Sequence, residues 1–146
     1  MWIKEIVNNL MEKHSSINPF ALAEKLKVHV FECELHSDIR GYYKYDRRNK
    51  YIILNSNLKD DEKLLVCAHE LGHAILHPRA NTKFMKQNTL LSVSRIEREA
   101  NRFAAELLIP DSLMNDDYEQ LTIFDIASLH NVPEELVRLK FKGLFL

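Results

Sequence analysis

The residues best suited to chemistry are His69, Glu70 and His73, which form the pattern H-E-x-x-H. On an α-helix, side chains four positions apart lie on one face, so both imidazoles could bind a single metal ion. Glu70 would stand beside that ion and could act as a general base, as in zinc-dependent peptidases. Because only three positions are fixed, the pattern also arises by chance. The alternative is a pair of half-buried histidines on an amphipathic helix.

The metal-site hypothesis requires a rigid helix, and the surrounding sequence predicts one. Asp60 and Asp61 are suitable for its start, and Pro78 would end it. Between these limits, apolar residues recur with the helical period: Leu64, Leu65, Ala68, Leu71, Ile75 and Leu76. Gly72 weakens a helix by about 1 kcal/mol relative to Ala. We therefore expect another element to approach closely between the two histidines.

A catalytic zinc site needs a third protein ligand. The pattern with a third histidine two turns further on is excluded, because Arg79 stands at that position. His77 lies about 12 Å from His69 along the axis, too far for both rings to reach one ion. We expect it to cap the helix or line the site. A thermolysin-like site would take a glutamate from a later helix, and Glu97 and Glu99 are the candidates.

Two sequence stretches resemble the ImmA/IrrE family of small zinc metallopeptidases, which phages and other mobile elements often carry. The first is AHELGH, starting at Ala68, and the second is ExxANxFAAELLIP, starting at Glu97. Their order and spacing also resemble the family pattern. The resemblance implies a thermolysin-like zincin, and the best-known family members cleave or inactivate a helix-turn-helix repressor. It also implies that the third ligand stands three residues before Ala100, which is the position of Glu97.

Helix geometry also favours Glu97, because at about 100° per residue it lies nearer the apolar face than Glu99, which turns to the opposite flank. An alternative role is a capping box formed by Ser94 and Glu97 at the helix start. We favour the ligand, because a cap does not explain the long motif that follows. Asn101, one turn after Glu97, could accept a hydrogen bond from a ligand imidazole. Thermolysin-like enzymes usually have Asp there.

The chain as a whole, residues 1–146, is predicted to form one α+β domain of the zincin type. We expect a small antiparallel sheet packed against the H-E-x-x-H helix, with further N- and C-terminal helices. The N-terminal elements are an amphipathic helix from Trp2, a short helix after Asn18, a strand over 28–35 and a hairpin over 41–54. The C-terminal helices are expected near 113–118, 123–130 and 133–142, and a loop over 79–93.

Composition restricts the partners and the compartment. The 20 basic and 21 acidic residues nearly cancel, so neither direct nucleic-acid binding nor membrane binding is expected. The last two helices could be mistaken for a helix-turn-helix, but a core-covering helical hairpin is the more common arrangement. Cys33 and Cys67 in predicted regular elements fit a reducing cytoplasm, and the N-terminus lacks the apolar run of a signal peptide.

Two functional hypotheses follow. In the first, the chain is a cytoplasmic zinc endopeptidase whose substrate is a regulatory protein, with ligands His69, His73 and Glu97 and with Glu70 as base. In the second, it is a non-catalytic anti-repressor module with a structural or vestigial zinc site. Glu70 favours the first, since a structural site needs no base. The oligomeric state stays open, as does the donor to the oxyanion, for which the candidates are Tyr42, Tyr43, Tyr45 and His77.

Overall fold

The helix that carries the two histidines is the third of the helices in the computed structural model, which describes residues 2–81, 85–86, 94–111 and 121–141. Of residues 85 and 86, only the backbone is described. The elements in chain order are α1 (Trp2–His14), α2 (Pro19–Lys25), β1 (Val28–Cys33), β2 (Ile39–Asp46), β3 (Asn49–Asn55), α3 (Asp60–Leu76), β4 (Met85–Lys86), α4 (Arg95–Leu108), α5 (Ile123–His130) and α6 (Glu134–Lys140).

The four strands form one sheet in the order β1-β3-β2-β4. Strands β2 and β3 form the predicted antiparallel hairpin, closed by Arg47 and Arg48, which both have positive φ angles (51° and 68°). Positive φ at both central residues is the geometry of the two-residue turns that match strand twist. β4 adds an antiparallel partner to β2 at Ile39 and Gly41. The predicted α+β class is confirmed.

One strand pair differs from the predicted antiparallel sheet, because β1 runs parallel to β3 and the sheet is therefore mixed. After the hairpin reverses direction, β3 inserts between β1 and β2 and runs the same way as β1. Asn55, at the end of β3, is buried and fixes the connection between β1 and β2. Its side-chain amide donates to the carbonyls of Leu35, His36 and Ile39 at 3.1, 3.2 and 2.9 Å.

Helix α3 begins and ends where the sequence predicts. The side chain of Glu62 accepts a hydrogen bond from the backbone N–H of Lys59 at 3.1 Å, and the acids of the first turn are favourable at a helix N-terminus. The helix ends two residues before Pro78. It is buried along most of its length because it packs against β2 and β3 on one side and against α2 and α4 on others.

Helix α4 lies against α3 and presents a buried face of mostly small and apolar residues: Ala100, Phe103, Ala104, Ala105 and Leu107. The buried faces of α5 and α6 join the same core through Ile126, Ala127, Leu136 and Val137, as a core-covering helical pair would. The helix predicted near 113–118 lies outside the described residues, and so does most of the predicted loop over 79–93. Among the helices described, none is long and apolar enough to cross a membrane.

Candidate metal centre

The imidazoles of His69 and His73 lie one turn apart on α3, with ring centroids 4.9 Å apart. Both side chains are almost completely buried, with exposed fractions of 1% and 0%. An amphipathic surface helix would leave such histidines half-exposed and oriented by solvent. Here both rings are enclosed between α3 and α4, so their nitrogens face protein groups.

Helix α4 brings Glu97 to both rings. Its Oε2 lies 2.9 Å from Nε2 of His69, and its Oε1 lies 3.0 Å from Nε2 of His73. Ser94 makes no side-chain capping hydrogen bond at the start of α4. The carboxylate of Glu97 is thus directed at the histidines and not at the helix N-terminus, as expected for a ligand.

The donor atoms suit a divalent metal ion. Nε2 of His73 is buried and faces Oε1 of Glu97 at 3.0 Å. A tetrahedral zinc ion with bonds of about 2.0–2.2 Å would hold its nitrogen and oxygen ligands about 3.3–3.6 Å apart. The observed separations of 2.9 and 3.0 Å need only a small expansion to accept it. Two imidazoles and one carboxylate are a donor set that zinc prefers.

The electrostatics of the metal-free chain show how strongly these groups interact. Burial raises the pKa of Glu97, but the imidazoles of His69 and His73 outweigh it and lower that pKa well below the usual range. Burial lowers the pKa of His69, yet the carboxylates of Glu97 and Glu70 and the Asn101 side chain raise it overall. For His73 burial prevails, and its pKa is lowered. The carboxylate of Glu97 and the imidazole of His69 therefore attract each other strongly, and a metal ion between them could replace this attraction.

A second carboxylate, that of Glu70, lies beside the two histidines, and Glu70 is 1% exposed. One of its oxygens lies within 4.8 Å of ligand nitrogens of both His69 and His73, so these three residues alone could also be grouped as a metal site. The contacts separate the two carboxylates. Glu97 is near 3 Å from both imidazoles, whereas Oε2 of Glu70 is 4.0 Å from Nε2 of His69. Glu97 therefore lies closer to the two imidazoles than Glu70 does.

Asn101 contacts the imidazole of His69, which is the kind of contact that the sequence suggested for it. Its Oδ1 lies 2.6 Å from Nδ1 of His69, and its side chain is buried. As an acceptor it holds a proton on Nδ1, which turns the Nε2 lone pair of His69 towards the site. Among the oxyanion candidates, the hydroxyl of Tyr43 donates to the backbone carbonyl of Pro78. Burial, followed by repulsion from Tyr45, raises the pKa of Tyr43 to about 12.

The structure also brings in two residues whose contact the sequence did not indicate. His77 lies at the C-terminus of α3 with its Nδ1 3.0 Å from Nδ1 of His73, and its Nε2 lies 2.7 Å from Oε1 of Glu99. Glu99, which helix geometry placed on the flank opposite Glu97, thus contacts the end of α3 through His77. The available signal was the run His69, His73 and His77, which places three imidazoles along one helix face.

The chain is similar to a known protein family and to proteins of a phage and a bacterium. The family described as the IrrE N-terminal-like domain, peptidase family M78, matches residues 23–142. A protein of Bacillus phage phi105 named uncharacterized immunity region protein 2 is 51% identical over 139 residues, covering 94% of this chain and 88% of its own. Metallopeptidase ImmA of Bacillus subtilis (strain 168) is 29% identical over 136 residues, covering 90% of this chain and 79% of its own.

Proposed function

The chain belongs to the ImmA/IrrE family of metallopeptidases, and from that premise we propose that it is a zinc-dependent endopeptidase. Its proposed substrate is a regulatory protein, namely a helix-turn-helix repressor of a phage or mobile element. The proposed site of cleavage is the cytoplasm. The observation that carries the proposal is the convergence of His69, His73 and Glu97 on one buried point, with Glu70 beside it.

The chemistry of the donors supports zinc over other metals. Imidazole nitrogen and a single carboxylate suit zinc, whereas calcium and magnesium are bound by oxygen ligands. Three protein ligands leave a fourth position open, as catalytic zinc sites do and structural ones do not. When bound, the ion would supply Lewis-acid activation of water and polarise the scissile carbonyl.

Glu70 would accept a proton during hydrolysis and later donate it. A water molecule adds to the carbonyl carbon of the scissile peptide bond, and the carboxylate of Glu70 takes the proton that this water loses. When the C–N bond breaks, the same proton passes from Glu70 to the leaving nitrogen, so the products are a carboxylic acid and an amine, which then ionise in water. Burial of Glu70 beside His69 fits this role, because a carboxylate shielded from bulk water keeps the proton at the reacting atoms.

The substrate class rests on the family resemblance and on the likeness to a protein named for a phage immunity region. The nearly balanced charge, 20 basic and 21 acidic residues, gives no reason to expect direct DNA binding by the enzyme. Access to a repressor is therefore proposed through contacts between the two proteins.

The test is to incubate the purified zinc-loaded chain with a candidate helix-turn-helix repressor and to identify the products by mass spectrometry. We expect one or a few defined cleavages that stop when zinc is removed by a chelator. Glu70→Gln should bind zinc and the repressor but cleave at least about 100-fold more slowly, the usual scale of general acid–base catalysis. Glu135→Gln, on the exposed side of α6, is the matched control and should cleave normally.

Two outcomes would count against the proposal. Binding of the repressor without cleavage by the zinc-loaded wild type would favour the anti-repressor module. Cleavage by Glu70→Gln at the wild-type rate would remove Glu70 from the mechanism.

A further inference from the structure

Three side chains form a hydrogen-bonded chain that ends on the imidazole of His73. Oε1 of Glu99 lies 2.7 Å from Nε2 of His77, and Nδ1 of His77 lies 3.0 Å from Nδ1 of His73. The side chains become more buried along the chain, with exposed fractions of 16% for Glu99, 10% for His77 and 0% for His73. Since Glu97 and Glu99 both stand on α4, one helix reaches both nitrogens of the His73 ring, one of them through His77.

For neutral histidines, proton accounting gives the direction of each bond. A carboxylate can only accept, so Nε2 of His77 carries the proton that it donates to Glu99. A neutral imidazole has one N–H, so Nδ1 of His77 is then an acceptor. It can accept only from His73, whose Nδ1 must carry a proton. A neutral His73 is then left with a lone pair on Nε2.

That lone pair faces an oxygen. Nε2 of His73 lies 3.0 Å from Oε1 of Glu97. With no proton on either atom, two electron-rich atoms meet at close range inside the protein, an arrangement that a cation between them would stabilise. Asn101 acts similarly on the other imidazole through Nδ1 of His69. An amide can donate as well as accept, however, so only the carboxylate of Glu99 dictates a tautomer.

We propose that Glu99 and His77 are positioning residues that hold His73 as its Nδ1–H tautomer and so aim its Nε2 lone pair at the metal site. The inference rests on the proposed function only in treating Nε2 of His73 as a metal ligand. Glu99 also contacts Arg95 at 3.4 Å, but the Arg95 side chain is 82% exposed. An exposed ion pair of this kind contributes little, so it does not account for the position of Glu99.

The first measurement is the tautomer of His73 in the metal-free full chain, read from its nitrogen chemical shifts at a pH where histidine is neutral. The wild type should show Nδ1–H. Glu99→Ala should increase the Nε2–H form, and Glu99→Gln should fall between Glu99→Ala and the wild type, because its amide can either accept from His77 or donate to it. Arg95→Ala is the matched control, since it removes the ion pair and leaves the chain of hydrogen bonds.

The second measurement is zinc affinity, by competition with a chelator. Glu99→Ala should weaken binding about 10- to 100-fold, the usual effect of losing the partner of a metal-binding histidine. Arg95→Ala should stay close to the wild type, and Glu99→Gln should fall between the wild type and Glu99→Ala. An Nε2–H tautomer in the wild type would overturn the inference, as would unchanged tautomer and affinity in Glu99→Ala. The tautomer is read without metal or substrate, so a chain that binds zinc but cleaves nothing would refute the proposed peptidase and leave this inference standing.

Discussion

Gly72 of α3 lies directly against Ala100 of α4: a Cβ placed on Gly72 would be 3.2 Å from both the Cα and the backbone oxygen of Ala100. This contact confirms the expectation that another element approaches between the two histidines. Ala100 lies between Glu97 and Asn101 in sequence, and those two side chains reach the imidazoles from α4. The close approach of the helices is therefore part of how the site is built.

Gly72→Ala should destabilise the protein even though alanine is the better helix former. The substitution gains about 1 kcal/mol of helix propensity. Its methyl group, however, would lie 3.0 Å from Cβ of Phe103 as well as against Ala100, and overpacking of this kind costs about 1–3 kcal/mol. Urea unfolding should show a lower free energy of unfolding, and a zinc titration should show weaker binding because α4 is displaced. A more stable variant with unchanged zinc affinity would contradict this account.

Glu97→Ala should lose zinc affinity and peptide cleavage together, because it removes the carboxylate that touches both imidazoles. A residue that only capped α4 would instead cost about 1 kcal/mol of stability and leave the metal in place. Zinc content after dialysis and the cleavage assay distinguish the two roles. Glu99→Ala is unsuitable as a neutral control because Glu99 contacts His77. Glu135→Gln is the control instead. A fully metallated and active Glu97→Ala protein would exclude the ligand role.

His69→Ala and His73→Ala should each bring zinc below one ion per chain. Zinc bound only by the folded state stabilises that state, so added zinc should raise the melting temperature of the wild type and have little effect on either variant. Metal analysis and thermal melting with and without zinc provide the measurement. His29→Ala, on the exposed face of β1, should keep the zinc response. Full zinc occupancy in both variants would place the metal elsewhere.

Local signals allowed the sequence to predict most of what positions the site. The acids at Asp60 and Asp61, the apolar period and Pro78 together predicted α3, which spans Asp60–Leu76. Asn18 was predicted to begin the short second helix, and its side chain does accept from the backbone N–H groups of Phe20 and Ala21. These features depend on residues only a few positions apart, which is why one sequence suffices to find them.

The features that were missed depend on contacts between distant segments. The direction of β1 relative to β3 is decided by which strand inserts between which, and the alternation of side chains along a strand is the same in both cases. The contact between His77 and Glu99 depends on how α3 crosses α4. Helix periodicity placed Glu99 on the flank away from Glu97, but it carries no information on what the neighbouring helix presents to that flank.

A buried lysine outside the metal site gives a prediction on pH. Nζ of Lys140 lies 2.9 Å from Oδ1 of Asp111 and 3.3 Å from Oε1 of Glu106, and it donates to the carbonyl of Ile109. Burial raises the pKa of Asp111, but the hydrogen bond and charge of Lys140, followed by those of Lys4, lower it overall from its usual value of 3.8. A carboxyl whose pKa is lower in the folded state stabilises that state above its unfolded pKa.

Asp111→Asn should therefore reduce the free energy of unfolding at neutral pH, and the difference from the wild type should shrink as the pH falls from about 4 through the folded-state pKa of Asp111. The effect should be modest, because the Asp111 side chain is 45% exposed and solvent screens its ion pairs. Urea unfolding of the metal-free proteins across this range provides the measurement. A chelator is present because zinc binding itself depends on pH and would change the free energy of unfolding. Asp38→Asn, whose side chain is 75% exposed, serves as the control and should follow the wild type. A difference between Asp111→Asn and wild type that stayed constant with pH would mean that the charge of Asp111 does not stabilise the fold through Lys140.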